Sequence, residues 1–195
     1  MVKKGILLYF IFSALIILAD QFVKYIILQE LPLGDKITFI PGVLSITHVR
    51  NTGAAFSLLS DMRWLLISLS SLSLVFIIVI MIVYDIGVPG RIAIAAVLGG
   101  AVGNFIDRAF FGYVIDMFEF EFVRFAIFNV ADCFITIGGI VFCGCYVMYS
   151  AREAKEEREE KPALVDGLPE EGQSDVQILQ EDEELVPEEN SDDDD

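Results

Sequence analysis

The chain has 195 residues, 55% of them hydrophobic, and a formal net charge of −16, a pairing that does not suit one ordinary soluble domain. The charge is confined to one end: residues 1–150 carry nine basic and ten acidic side chains, residues 151–195 four and nineteen. No basic patch invites nucleic acid, and the three cysteines (Cys133, Cys143, Cys145) and the single histidine, His48, have neither disulfide nor metal-ligand spacing.

Residues 6–28 are almost wholly apolar and follow Lys3 and Lys4. The run exceeds a signal-peptide core, no small-x-small cleavage site follows it, and Asp20 and Lys24 sit in its last turns. A retained membrane span is therefore expected. Asp20 and Lys24 are i, i+4 and can pair, either as a snorkelling pair near the interface or in support of a site.

Residues 29–61 change character. Pro32, Gly34, Pro41 and Gly42 punctuate them, and Ile37-Thr38-Phe39 and Val43 to Val49 alternate and are rich in β-branched residues, which predicts a small strand element at about 35–60. It ends in Arg50-Asn51-Thr52-Gly53-Ala54-Ala55-Phe56-Ser57, polar and then small.

Residues 64–84 form an uncharged run able to cross about 30 Å of hydrocarbon. After a turn at Asp85, Gly87, Pro89 and Gly90, residues 91–107 give a third span, with Ala96, Gly99, Gly100 and Gly103 spaced for close helix approach. Asn104, Asp107 and Arg108 then fall at i, i+3 and i+4, on one helix face. Val114-Ile115-Asp116-Met117 and Phe118-Glu119-Phe120-Glu121-Phe122 read as an extended segment or loop at the membrane surface, and residues 128–150 as the fourth span, opened by Asn129 and Asp132.

The fold class expected is thus membrane all-α: four transmembrane helices, a small outward-facing β-cradle and a disordered acidic C-terminal tail. Residues 1–150 form the membrane domain, and residues 151–195 begin as a charged, helix-compatible extension that cannot bury a core of its own. Lys3, Lys4, Arg91, Arg152, Lys155, Arg158 and Lys161 fall on one side of the membrane, which the positive-inside bias makes cytoplasmic. Both termini are then cytoplasmic, and Asp116 and Asp132 lie near the outer leaflet.

Ionisable residues within spans are costly and mark function. Two carboxylates held together split their pKa values into one acid and one base, enough for water to attack a peptide bond. A carrier using Asp107, Asp116 and Asp132 for cations or protons is an equal reading of the residue types, and a scaffold with no catalysis is a third.

Four motifs in order separate these readings. Asp20-Gln21-Phe22-Val23-Lys24, Asn51 to Ser57, Gly103-Asn104-Phe105-Ile106-Asp107-Arg108 followed by Gly112 and Val114-Ile115-Asp116, and Phe128-Asn129-Val130-Ala131-Asp132 together resemble the lipoprotein signal peptidase (signal peptidase II) family. These are aspartyl endopeptidases of bacterial inner membranes. The resemblance covers nearly all of residues 6–150 and implies removal of the signal peptide from a diacylglyceryl-modified prolipoprotein, just before the lipidated cysteine.

It implies Asp116 and Asp132 as the catalytic dyad, with no cofactor and no metal. Asn51, Gly53, Asn104, Arg108, Asn129, Ala131, Asp20 and Lys24 would bind substrate or support the dyad, and Asp107 would support Arg108. Membrane lipid and cyclic peptide inhibitors such as globomycin are the other partners implied. Cys133 reads as a small buried side chain, because nothing nearby would lower its pKa. The acidic tail is not part of the motif set.

Overall fold

The computed structural model describes residues 5–53, 62–84 and 87–166. The chain divides into two compact units, Met1–Val147 and Met148–Asp195. Among the described residues, four helices are long and apolar enough to cross a membrane: α1 (Ile6–Glu30), α2 (Arg63–Val83), α3 (Gly87–Phe110) and the first part, Val130–Arg152, of α4 (Val130–Asp166).

The third span begins earlier than the expected residue 91, because Gly87, Pro89 and Gly90 lie inside α3. Proline is tolerated in a first turn, where its missing N–H has no intrahelical partner to lose. At the other end Gly112, at φ 81°, takes the left-handed conformation that closes the helix, and its N–H donates to the carbonyls of Asp107 and Arg108. Beyond residue 150, α4 covers the charged extension as far as Asp166.

α3 is the central helix. Of its spanning window 56% is buried, against 11–17% for the other three. Small residues make this possible: a Cβ on Gly99 would come within 2.8 Å of Ile16 Cβ on α1, and one on Gly100 would collide with Ala131 O on α4. Met81 of α2 packs on Ile94, Ala95 and Leu98 of α3. Ser13 ties α1 to the same helix through an Oγ–Ala95 O hydrogen bond of 2.7 Å.

Three strands, β1 (Lys36–Ile40), β2 (Leu44–Asn51) and β3 (Val114–Phe120), form an antiparallel sheet in the order β1-β2-β3. The first two lie within the stretch 35–60 where a strand element is expected, and residues 54–60 of that stretch lie outside the described ones. The third is a finding of the structure: the extended segment after Gly112 is a paired strand, with Val49 opposite Asp116 and Asn51 opposite Val114. Ile115 and Met117, almost fully buried, pack on Ile27 of α1 and fix this strand against the helices.

Candidate active site

Asp116 stands on β3 and Asp132 in the first turn of α4. Both line one cavity of about 460 Å³ together with Asn51, Asn104, Arg108 and an apolar wall that includes Phe120, Phe125, Ile127, Phe128 and Ile137. That volume is within the range of small-ligand sites.

Local chemistry places Asp132. α4 starts at Val130, so Asn129 is its N-cap. Asn129 Oδ1 accepts the Asp132 N–H at 3.0 Å, while Asp132 Oδ2 accepts the Asn129 N–H at 3.1 Å, the reciprocal arrangement of a capping box. The i, i+3 spacing of asparagine and aspartate thus builds the helix start and holds the carboxylate there, where a helix N-terminus favours negative charge. Asp132 Oδ1 accepts from Asn104 Nδ2 at 2.8 Å.

Asp116 accepts one bond on each oxygen, from Asn129 Nδ2 at 2.7 Å and from Asn51 Nδ2 at 2.9 Å. Burial pushes its carboxyl up to about 6; the Asn51 bond opposes this, the charge of Asp132 adds to it, and Asn129 and Lys24 oppose it further. The group therefore changes protonation close to neutral pH.

Behind the two carboxylates is a buried ionic cluster. Lys24, 1% exposed, meets Asp20 Oδ2 at 2.7 Å and Asp107 Oδ2 at 2.9 Å, both aspartates being fully buried. The pair on α1 is therefore internal, and snorkelling is ruled out by its burial. Asp20 Oδ1 also accepts the Ala131 N–H at 2.9 Å, in the first turn of α4. Gly103 leaves room for this carboxylate, since a Cβ there would be 2.5 Å from Asp20 Oδ2.

Lys24 also donates to Asn104 Oδ1 at 2.9 Å. An ammonium can only donate, so Asn104 must turn its carbonyl toward Lys24 and its amide nitrogen toward Asp132. The same carbonyl accepts from Asn129 Nδ2 at 3.1 Å, which leaves Asn129 donating to Asp116 as well. One buried cation thus fixes the direction of every amide in the chain Lys24–Asn104–Asn129, and both carboxylates receive N–H groups.

Asp107 makes its direct contacts with groups other than Arg108. Its carboxylate meets Lys24, Gln21 Nε2 at 2.9 Å and the Ile115 N–H at 3.2 Å, and among the described residues it has no hydrogen bond or ion pair with Arg108. The geometry explains why: Asp107 faces α1 and the start of β3, while Arg108, one residue on, lines the cavity and donates to Gly53 O at 3.3 Å. Gly53 in turn donates its N–H to Asn51 Oδ1 at 3.0 Å.

Three contributors carried no assigned role in the sequence reading. Gln21 lies within the Asp20–Lys24 motif and bridges Asp20, Asp107 and Gly103 O. Thr136 and Ile137 line the cavity one turn beyond Asp132 and Cys133, a helical spacing that offers a signal for them. Cys133 itself lines the cavity, with its Sγ 3.4 Å from Asn129 O.

A sequence profile of the family described as signal peptidase (SPase) II matches residues 12–148. The chain belongs to the signal peptidase II family. It is similar to the lipoprotein signal peptidase of Enterococcus faecalis, 41% identical over 77% of this chain and 94% of that one. It is also similar to that of Brevibacillus brevis, 44% identical over 67% and 88%. Among solved structures, a bacterial membrane enzyme determined by the in meso method at 2.3 Å superposes with a TM-score of 0.71 at 31% identity, covering 78% of this chain and 95% of the other. The four spans, the small sheet and the cavity therefore belong to a multi-pass membrane peptidase family.

Proposed function

We propose that the protein is an aspartyl endopeptidase that removes the signal peptide from diacylglyceryl-modified prolipoproteins, cutting on the N-terminal side of the lipidated cysteine. The observation that carries this reading is that two carboxylates, from β3 and α4, line one largely apolar cavity in a member of this family.

In this mechanism Asp132, held in the first turn of α4, takes a proton from a water as that water attacks the scissile carbonyl carbon. Asp116, kept partly protonated by burial, gives its proton to the carbonyl oxygen. The resulting diol collapses as Asp132 returns a proton to the departing amide nitrogen and Asp116 recovers one from a diol hydroxyl. Asn51, Asn104 and Asn129 hold the two carboxylates, and Arg108 and Gly53 position the substrate backbone. Lys24, with Asp20, Gln21 and Asp107 around it, acts behind them by fixing the amide directions.

The substrate arrives laterally with its acyl chains in lipid, so the apolar wall at Phe120, Phe125 and Phe128 receives apolar parts of it. Cyclic peptides such as globomycin would compete for the same cavity. The site would lie near the outer leaflet of the inner (cytoplasmic) membrane, with both termini cytoplasmic.

The test is cleavage of a diacylglyceryl-modified prolipoprotein by the purified wild type, Asp116→Asn and Asp132→Asn, read as loss of the signal peptide on a gel. Each variant is expected to fold and to lose about 10⁴-fold in rate, the upper range for a general acid or base. Near wild-type cleavage by either variant would remove the dyad. Inert wild type, with ion flux in liposomes, would favour the carrier instead.

A further inference from the structure

Two arginines stand at one turn with no ion-pair partner among the described residues. The turn joins the end of α3 at Phe110 to the start of β3 at Val114. Arg63 donates through Nη2 to Ala109 O at 2.7 Å, and its guanidinium carbon lies 3.3 Å from where a Cβ on Gly112 would be. The Arg50 guanidinium lies over the next residue, Tyr113, 4.8 Å from the ring centroid, and Tyr113 stacks on Phe111 at 6.0 Å. Arg63 also lies over Trp64, at 5.8 Å. Among the described residues, neither arginine forms an ion pair.

The turn is at a membrane boundary by construction. Arg63 is the first residue of one spanning helix and Phe110 the last of another. Trp64 and Phe110, each 77% exposed, stand beside the two cations with Met62 and Phe111. Exposed aromatics at the ends of spans sit at headgroup level. Guanidinium groups stacked on rings there keep most of their N–H donors free for a planar, forked acceptor.

We infer that Arg50 and Arg63, with the Phe110–Tyr113 turn, bind the phosphate of an anionic phospholipid headgroup. Two positive charges that form no ion pair among the described residues favour a lipid of net negative charge over a zwitterion, whose ammonium would be repelled. Arg108, in the last turn of α3, and Val114, the first residue after the turn, line the cavity, so the bound lipid stands beside it.

The chain contains one tryptophan, Trp64, which makes it the reporter. The full-length protein is placed in nanodiscs of phosphatidylcholine doped with acyl-brominated phosphatidylglycerol or, separately, acyl-brominated phosphatidylcholine, and quenching of Trp64 is measured. Stronger quenching by the anionic lipid is expected in the wild type. Its apparent affinity should fall about fivefold in Arg50→Gln and a further about fivefold in Arg50→Gln/Arg63→Gln, while quenching by brominated phosphatidylcholine stays unchanged.

Equal quenching by the two lipids in the wild type overturns the site. So does an anionic preference that survives the double variant, or abolition of the preference by millimolar inorganic phosphate at constant ionic strength, which would assign a free-phosphate site. Arg50→Gln alone, which removes only a ring contact, keeps the test valid if the double variant does not fold. The readout does not depend on proteolysis.

Discussion

Two clusters in this molecule have the same set of charges and opposite surroundings. In each, one lysine sits between two carboxylates: Lys24 with Asp20 and Asp107 at 2.7 and 2.9 Å, and Lys36 with Glu119 and Glu121 at 3.1 and 3.6 Å. The first is sealed among α1, α3 and the start of α4. The second lies on the sheet, with the Lys36 side chain 40% exposed.

The difference is what each cluster does for its neighbours. Around Lys36, solvent and salt screen the charges, and the pairing merely raises the Lys36 ammonium through its bond to Glu119. Glu121 is held below the usual carboxylate range chiefly by the Ser45 hydroxyl and also by the Gly42 N–H. Around Lys24 no solvent can substitute, so the cation must be met by fixed acceptors, and those acceptors include the amide that sets the direction of the asparagine chain. A buried pair of this kind contributes little net stability over an apolar replacement but costs about 3–5 kcal/mol when one partner is removed.

The largest contrast should come from deleting each lysine. Lys24→Met is expected to lower kcat by about 10²-fold, the scale of misplacing a catalytic group by about 1 Å. Because it also strands two buried carboxylates, Asp20→Asn/Lys24→Met is the companion variant: it should recover folding, seen in thermal unfolding, without recovering kcat. Near wild-type kcat in a folded protein lacking Lys24 would break the comparison.

A smaller effect sharpens it from the side of the cavity. If Asp116 supplies its proton, kcat should fall as pH rises through about 6. The Asn51 bond favours the ionised form of Asp116, so Asn51→Ala should move this limb to higher pH and lower the plateau about tenfold. A limb that stays in place or moves down in the pH–rate profile would separate Asn51 from the proton donor. The smallest effect belongs to the exposed cluster: Lys36→Met should leave kcat within about twofold of wild type, and its slight effect on melting should vanish in high salt.

What was legible in the sequence follows the same division between local and non-local physics. The spans could be read because each is set by its own run of apolar residues. Asn129 and Asp132 could be read as a pair because a capping box needs only three residues of separation. The pairing of β3 with β2 depends on contacts between residues some 65 positions apart, for example Val49 with Asp116, and no local pattern specifies it. The direct contacts of Asp107 are not legible for the same reason: its sequence neighbour Arg108 lines the cavity, and Lys24 reaches Asp107 from another helix. The start of α3 was placed late because Pro89 and glycine signal a turn, while a first helical turn accepts both.

The measurement that bears most directly on the central claim is hydrolysis itself. Purified wild type is incubated with diacylglyceryl-modified prolipoprotein, with and without a strong chelator, and the product is analysed by mass spectrometry. A mature chain beginning at the lipidated cysteine, formed at the same rate in chelator, is the predicted result. Cleavage elsewhere, or cleavage abolished by the chelator and restored by a divalent metal, would contradict hydrolysis by Asp116 and Asp132 alone.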